Sequence, residues 1–242
     1  MPSTATPPIE GQLNAAERAL LMDAVKQASP RPQAIIEVGT WLGGGSTIHL
    51  LRALEHNGEG RLWGIEAERT IHDRMIANLR AAAPECVHRF TPLFGSSQAV
   101  LPQLLSTAGP DFKVDMAFLD GGNNPSEQME EFRLLAPCIR VGGVLFAHDA
   151  KLRKGKWLVP FLSALDNWEC QLHDISDEGL FEARKLGDEP TQTSLAAARR
   201  RLRRQRLEPK EIAAAVLPRP LCALILRLLP ERMVRRIADG RG

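Results

Sequence analysis

Residues 35–47 read IIEVGTWLGGGST, in which an apolar run containing one acid leads into four glycines within seven positions. Such a turn after a strand lets backbone N–H groups approach a ligand, because glycine has no Cβ and tolerates positive φ. The spacing fits neither common phosphate motif, since Trp41 replaces the second glycine of G-x-G-x-x-G and no Gly-Lys-Ser/Thr follows. Glu37 would repel a phosphate and attract an ammonium group. The stretch therefore predicts a strand and a turn for a cofactor without phosphates.

From residue 31 onward, strand-like runs alternate with segments of helical period. The strand-like runs are AIIEV, RLWGIE, VDMAFLD and GGVLFAHD, with a weaker one near VHRFTPLF. This alternation predicts a parallel sheet with helices on both faces, because each parallel connection crosses over through a helix. After Trp157, NWECQLHDIS and GLFEARKL predict an antiparallel pair at the sheet edge, joined by a turn at 177–179. Near the N-terminus, Asn14 is expected to cap a helix that runs to about residue 28.

Composition indicates one globular domain with additions. The chain has 242 residues, of which 44% are hydrophobic, and a net charge of +2. Residues 187–242 hold 13 Lys/Arg against 6 Asp/Glu, so residues 1–186 carry −5. The four cysteines show no C-x-x-C spacing, and no signal peptide or run of roughly 18 apolar residues is present, so we expect a soluble, cytoplasmic protein. We predict a leader and helix at 1–30, a ligand-binding domain at 31–186 and a basic helical extension at 187–242.

Every predicted strand of the parallel part ends in polar residues or glycine. In such sheets the ligand lies beyond the carboxyl ends of the strands, where the strand order reverses. The strand ends fall at 37–39, at Glu66, at 95–98, at Asp120 and at 148–149. Glu66, one helix and one strand beyond the glycine turn, is well placed to accept hydrogen bonds from both hydroxyls of a ribose.

Five of these segments together resemble a known enzyme class. IIEVGTWLGGGST, GIEAE, GSSQAVLPQL, VDMAFLDG and VGGVLFAHDA resemble the class I S-adenosylmethionine-dependent methyltransferases, most of all the catechol O-methyltransferase type and related bacterial small-molecule O-methyltransferases. The resemblance covers about residues 31–186. It implies an α/β fold: a Rossmann-like seven-stranded, mostly parallel sheet with an antiparallel last strand and helices on both faces. It also implies S-adenosylmethionine, which has an ammonium, a carboxylate, a ribose and an adenine but no phosphate.

The resemblance implies roles for individual residues. Glu37 suits the amino acid end of the cofactor, Glu66 the ribose, and Ser97 with Gln98 the adenine edge. The turn holds one glycine more than the family's usual G-x-x-x-G-G-S-T, which leaves open which residue from Gly43 to Ser46 meets the carboxylate. The predicted cofactor-binding residues are Glu37, Gly39, Thr40, Trp41, Gly43, Gly45, Ser46, Glu66, Ser97, Gln98 and Asp120.

The expected acceptor end departs from the family. Asn123 stands where the catechol enzymes have a lysine base. In metal-dependent members, the residues at the positions of Asp120, His148 and Asp149 bind Mg²⁺, although a histidine suits other divalent cations better. Alternatively no metal binds, and His148 is a general base oriented by a carboxylate or a hydrogen-bonded strand-end residue. Lys151 is a second candidate base, so the predicted catalytic residues are His148, Asp120 and Lys151.

Two basic segments follow the strand ends. The first, KLRKGKWLVPFL at 151–162, is interpreted as a solvated loop, with attraction of an acidic acceptor as the alternative. The second has six arginines in positions 199–206. Because no aromatic residues interleave with them, we expect no nucleic acid partner. A helical appendage that packs on the body or on another subunit of a homo-oligomer is favoured, and peripheral membrane contact through 221–229 is the alternative.

These observations predict an S-adenosylmethionine-dependent O-methyltransferase that acts on a small hydroxylated metabolite, with or without a divalent cation. Two alternatives stay open. One is transfer to nitrogen, which needs no metal. The other is a cofactor-binding protein without catalysis, which Asn123 in place of the lysine suggests.

Overall fold

A computed structural model of the protein describes residues 9–206. The helices are α1 Ala15–Lys26, α2 Thr47–Asn57, α3 Arg69–Ala82, α4 Ser97–Ala108, α5 Pro125–Leu135, α6 Leu158–Leu162 and α7 Gln192–Arg206. The strands are β1 Ala34–Val38, β2 Arg61–Glu66, β3 Phe90–Phe94, β4 Val114–Leu119, β5 Ile139–Ala147, β6 Trp168–His173 and β7 Leu180–Lys185. Each predicted strand is present, with bounds that differ by a few residues.

The strands form one sheet in the order β3-β2-β1-β4-β5-β7-β6. Strands β1 to β5 pair in parallel, and β7 pairs antiparallel with both β5 and β6. The predicted mostly parallel sheet with an antiparallel last strand is thereby confirmed. The hairpin differs in one detail from a simple edge pair, because β7 lies between β5 and β6 and only β6 is at the edge. The order reverses between β1 and β4, which places the ligand crevice of this fold there.

The two faces of the sheet carry two separate cores. Ile35 packs with one core and its neighbour Ile36 with the other, as the two-residue period of a strand requires. In β4, Phe118 and Leu119 divide in the same way. Helices α1, α2 and α3 cover the first face, and α4 to α7 cover the second. The central strands are therefore buried on both faces, which explains their nearly continuous apolar sequences.

Helix α1 begins with the predicted cap. The Asn14 side chain accepts from the backbone N–H of Glu17 at 3.0 Å, and Glu17 Oε2 accepts from the Asn14 N–H at 2.9 Å. This capping box satisfies two N–H groups at the helix start. It also holds the Glu17 carboxylate inside the protein, where the side chain is buried beside the carboxyl end of β5.

Helix α7 belongs to the predicted C-terminal extension and packs on the domain. Ala198 and Leu202, four residues apart, are buried on one side of the helix in the core that also contains α6. Thr191 at its start donates its backbone N–H to Asp166 at 3.0 Å. Residues 207–242, including the apolar run at 221–229, lie outside the described residues. Within residues 9–206, no helix is both long and apolar enough to cross a membrane.

Candidate active site

A cavity of about 410 Å³ lies at the carboxyl ends of β1, β2, β4 and β5. Its position matches the reversal of strand order. The predicted residues on its wall are Gly39, Trp41, Glu66, Ser97, Gln98, Asp120 and Asp149. The predicted residues that do not line it are Glu37, Thr40, Gly43, Gly45, Ser46, His148 and Lys151. Polar wall residues that were not among the predicted site residues include Gln12, Ser96, Glu127, Glu131 and Lys154.

Glu66 ends β2 and is held by the backbone around it. One carboxylate oxygen accepts from the N–H of Trp41 at 3.0 Å, and the other accepts from the N–H of Glu68 at 3.0 Å. The Trp41 backbone has a positive φ of 49°, which is uncommon for a residue with a side chain. Each carboxylate oxygen can accept a second hydrogen bond, so the group is oriented and still able to bind two hydroxyls of a ligand.

Ser97 begins α4 and contacts a buried acid. Its hydroxyl donates to Glu131 of α5 at 2.6 Å, and Glu131 is 1% exposed. Burial raises the pKa of Glu131 to about 7, although the bond from Ser97 and the charge of Lys154 oppose this shift. Gln98 lies next to Ser97 on the cavity wall. The region predicted to meet an adenine therefore combines a hydroxyl, an amide and a carboxyl group whose pKa is about 7.

The glycine turn is covered by the segment before α1. A Cβ on Gly44 would lie 2.2 Å from the carbonyl oxygen of Ile9, and a Cβ on Gly11 would lie 2.3 Å from the Gly44 backbone. Gly44 thus permits close packing of two backbones, and it lies away from the cavity. Gly39 has a similar function, since its Cβ would lie 2.4 Å from the Asp120 carbonyl oxygen. Only Gly39 and Trp41 of the turn reach the cavity.

Glu37 is completely buried behind this turn. The Ser46 hydroxyl donates to one of its oxygens, and the other oxygen has no hydrogen-bond partner among the described residues. Burial raises the pKa of Glu37 to about 8, against the lowering effect of Ser46 and Thr47. An ammonium that reached the unpartnered oxygen would favour the charged form. The carboxyl thus fits the predicted partner chemically, but it lies behind the cavity wall.

Four charged side chains form a cluster at the ends of β4 and β5. His148 Nδ1 lies 3.3 Å from Asp120 Oδ1 and 3.4 Å from Asp149 Oδ1. Lys154 Nζ lies 2.9 Å from Asp120 Oδ1 and 3.2 Å from Asp149 Oδ2. The two carboxylates therefore lie between an imidazole on the protein side and an ammonium on the cavity wall. We call these four residues the strand-end cluster.

Both ring nitrogens of His148 face carboxylates, and the ring itself does not line the cavity. Its Nε2 lies 3.3 Å from Oε1 of Glu17, which also accepts from the Ser176 hydroxyl at 2.6 Å. Burial alone would lower the pKa of His148, but the hydrogen bonds and charges of Asp120 and Asp149 raise it to about 10. A doubly protonated ring donates on both sides and cannot accept a proton. The geometry therefore favours a positioning role over the general base that the sequence predicted.

Two other members of the strand-end cluster, Asp149 and Lys154, carry charges of opposite sign that stabilise each other. Burial would raise the pKa of Asp149, but the bond from His148 and the charge of Lys154 lower it to about 2. Burial would lower the pKa of Lys154, but the charges of Asp120 and Asp149 raise it. Lys154 is 4% exposed, so the expectation that segment 151–162 is simply a solvated loop is wrong at this residue. Its position five residues after Asp149 gives no sequence signal, because the loop conformation determines where the side chain points.

Lys151, the predicted second base, lies elsewhere. Its ammonium pairs with Asp174 and donates to the carbonyl of Ser176 at 2.7 Å. Its stem packs against Gly179, in the turn between β6 and β7. The structure thus uses Lys151 to attach the hairpin turn to the loop after β5, and Lys154 is the lysine at the site.

The strand-end cluster contains the predicted set of metal ligands. One ligand atom from each of Asp120, His148 and Asp149 lies within 4.8 Å of the other two. A divalent cation would have to bind the same two carboxylates that Lys154 already contacts. The nearby ammonium would repel that cation. With Lys154 in this position, the residues do not fit a divalent metal.

The charge of the cavity wall suits a cationic ligand. Its acids are Glu66, Asp120, Glu127, Glu131 and Asp149. Lys154 is the one basic residue among the described residues of the wall. Within residues 9–206, no helix start or glycine loop at the cavity carries the basic residues that would favour a phosphate. A ligand with a sulfonium and an ammonium is favoured over a nucleotide with phosphates.

Comparisons with known proteins agree with this geometry. Residues 36–150 match a family model described as a methyltransferase domain. A comparison with curated protein sequences gives no match. The fold is similar to a Klebsiella pneumoniae protein assigned as an O-methyltransferase, with 20% identity, a TM-score of 0.61 and coverage of 73% of this chain and 82% of that chain.

Two further solved structures have the same fold. An O-methyltransferase from Bacillus cereus, in complex with S-adenosylhomocysteine, is 20% identical with a TM-score of 0.57, over 76% of this chain and 85% of that chain. An S-adenosylhomocysteine-bound methyltransferase from Podospora anserina is 12% identical with a TM-score of 0.56, over 73% and 80%. The family match, together with these folds, supports the class that the sequence resembles.

Proposed function

Because the chain is an S-adenosylmethionine-dependent methyltransferase, with its methyltransferase domain at residues 36–150, we propose that it methylates a hydroxyl oxygen of a small metabolite. The observation that carries the proposal is the strand-end cluster at the cavity wall, where an ammonium lies beside two carboxylates. An ammonium stabilises negative charge that develops on oxygen. Carboxylates can accept the proton that a hydroxyl loses.

The cofactor is proposed to lie between β1, β2 and α4. Glu66 binds the ribose hydroxyls, because backbone N–H groups orient its carboxylate and leave acceptor capacity. Ser97 and Gln98 meet the adenine edge, and the acidic wall attracts the positive end of the cofactor. Bound S-adenosylmethionine supplies an electrophilic methyl group on a positively charged sulfur. Four other predicted residues of the turn lie behind the cavity wall and are not proposed to contact the ligand in this conformation: Thr40, Gly43, Gly45 and Ser46.

The acceptor is proposed to lie between this cofactor and the strand-end cluster. Its hydroxyl donates to a carboxylate oxygen of Asp120, and its oxygen lies beside Lys154. This oxygen would receive the methyl group that bound S-adenosylmethionine supplies, and the Lys154 ammonium would stabilise its negative charge. The hydroxyl proton passes to the Asp120 carboxylate and from there to water. His148 and Glu17 take no proton in this step and hold the carboxylates in place.

Oxygen is preferred over nitrogen as the acceptor atom. An amine gains positive charge when it is methylated, and the Lys154 ammonium opposes that charge. A protein that had lost catalysis is a weaker alternative, because Asp120, Asp149 and Lys154 still place two carboxylates and an ammonium on the cavity wall. Asn123, where the catechol enzymes have their lysine base, is exposed at the cavity rim.

The experiment has two stages. Calorimetry measures binding of S-adenosylhomocysteine, with NAD as the control ligand, and we expect binding of the first alone. Transfer of a labelled methyl group is then measured on a panel of catechols, phenols, sugars and amines. Labelled products from hydroxyl compounds support the proposal. Binding of NAD without S-adenosylhomocysteine, or labelled amines alone, would contradict it.

A further inference from the structure

The Lys154 ammonium lies beside both carboxylates of the proposed acceptor site and supplies a positive charge there. We propose that Lys154 is the resident cation of this site, and that the protein transfers the methyl group without a divalent metal. The inference rests on the proposed function, because it concerns the same acceptor site. It contrasts with the sequence-based alternative in which Asp120, His148 and Asp149 bind a divalent ion.

The loop after β5 places the ammonium between the two carboxylates. The Asp149 carbonyl accepts from the N–H of Leu152 at 3.0 Å and from that of Gly155 at 3.3 Å, which closes a tight turn. A Cβ on Gly155 would lie 2.4 Å from the Ala150 carbonyl oxygen, so the turn packs closely on itself. Asp149 has a φ of 58°, in the left-handed region that residues with side chains rarely adopt. The loop therefore holds a strained backbone that directs Lys154 to the strand ends.

The side chain is enclosed as a structural cation would be. Lys154 is 4% exposed, and its ammonium contacts one carboxylate at 2.9 Å and the other at 3.2 Å. Two carboxylates bridged by one cation are the arrangement that a metal would otherwise provide. Here the cation is covalently part of the chain, and it occupies the place beside both carboxylates.

The ammonium also has the capacity to bind the acceptor. Lysine carries three N–H donors, and two of them serve Asp120 and Asp149. One donor is left for an oxygen in the cavity, whose wall Lys154 lines. On the opposite side of the carboxylates, the His148 imidazole faces Asp120, Asp149 and the buried Glu17. The carboxylates are thus contacted on both sides by side chains of the protein.

The test measures Mn²⁺ binding by electron paramagnetic resonance on metal-stripped protein. We expect no tight site in the wild-type protein, and at least tenfold tighter binding of one Mn²⁺ in Lys154→Met, whose carboxylates lack their cation. Lys185→Met is the matched control, because it removes another buried ammonium, at 3% side-chain exposure, that lies outside the strand-end cluster. Asp149→Asn combined with Lys154→Met should abolish the gained site.

Two results would overturn the inference. One is tight Mn²⁺ binding by the wild-type protein that Asp149→Asn removes, and this measurement needs no Lys154 variant to fold. The other is failure of folded Lys154→Met or Lys154→Gln to gain a site. With any acceptor that the panel identifies, EDTA should leave the wild-type rate unchanged within twofold, and a rate that is lost in EDTA and restored by Mn²⁺ contradicts the inference. Failure of S-adenosylhomocysteine to bind would instead reject the proposed function.

Discussion

The glycine turn after β1 and the strand-end cluster after β4 and β5 lie at the same edge of the sheet, but they are built differently. The turn is contiguous in sequence, from Gly39 to Thr47, and most of it is buried behind the cavity wall. The cluster joins residues from the ends of two strands and from a separate loop, and it is supported by Glu17 of α1. The turn is one of the five segments that resemble the enzyme class, whereas the cluster carries the proposed chemistry.

The two regions are under different physical constraints. The backbones of Gly44 and Gly11 lie in close contact, so the residues of the turn are constrained mainly by packing. The strand-end cluster is constrained mainly by charge balance, since each buried ion needs a partner of opposite sign. We therefore expect substitutions in the turn to change stability and substitutions at the cluster and at Glu66 to change binding or rate. Four predictions test this division, from the largest effect to the smallest.

Asp120→Asn should have the largest effect on catalysis. It removes the proposed proton acceptor and one partner of Lys154, and acid–base catalysis is typically worth about 10²- to 10⁴-fold in rate. Turnover should fall by that range, while the dissociation constant for S-adenosylhomocysteine changes by only about threefold, less than the tenfold that 1.4 kcal/mol produces. The control is Asp111→Asn, an exposed acid before β4. An unchanged rate would remove Asp120 from the mechanism.

Glu66→Gln should weaken cofactor binding and leave the cluster intact. Hydrogen bonds to charged groups contribute about 1.5–3 kcal/mol, which corresponds to roughly a 10- to 100-fold higher dissociation constant for S-adenosylhomocysteine. Calorimetry measures this change, with exposed Glu85→Gln as the control. If both variants bind equally well, Glu66 does not bind the ribose.

Gly44→Ala should lower stability without a specific loss of binding. The added Cβ would lie 2.2 Å from the Ile9 carbonyl oxygen, a backbone atom that cannot move easily. Overpacking of this kind costs about 1–3 kcal/mol, or roughly 2–4 °C in melting temperature for each kcal/mol. Gly187→Ala is the control, because its Cβ would meet the nearest atom only at 3.9 Å. Equal melting temperatures would show that residues 9–12 do not press on the turn.

Glu37→Gln should change how stability depends on pH. The folded-state pKa of about 8 is above the ordinary value of 4.5, so the stability that the protonated carboxyl contributes is intact below pH 4.5 and is lost as the pH rises through about 8. The free energy of unfolding of the variant, relative to that of the wild type, should therefore rise by at most about 1.4 kcal/mol between pH 6 and pH 7. Urea unfolding at the two values measures this, and Glu59→Gln, an exposed change, should give no such trend. Parallel pH profiles would place Glu37 in contact with water.

Much of the fold was predictable because it depends on short-range patterns. The strands appear where the apolar runs predicted them, and Asn14 caps α1 as its residue type indicates. At the site, Glu66, Ser97 and Asp120 lie on the cavity wall because strand ends in a parallel sheet meet at one edge. Lys151 and Lys154 could not be distinguished in this way. They are three residues apart in one basic segment, and only the turn at Asp149 sends one to the hairpin and the other to the cluster.

The sequence by itself determined the alternation of strands and helices, the methyltransferase class and the strand ends that form the cavity. The alternation and the strand ends follow from periodicity and from residues close together in the chain, and the class follows from the resemblance of five segments to a known family. The tertiary structure alone decided that the N-terminal segment covers the glycine turn, that Glu17 meets His148, and that Lys154 contacts both carboxylates. Glu17 and His148 are 131 residues apart in the chain. The reason is physical: the charge of a buried group is compensated by whatever side chain the fold brings within about 4 Å, and that distance is not written in any local pattern.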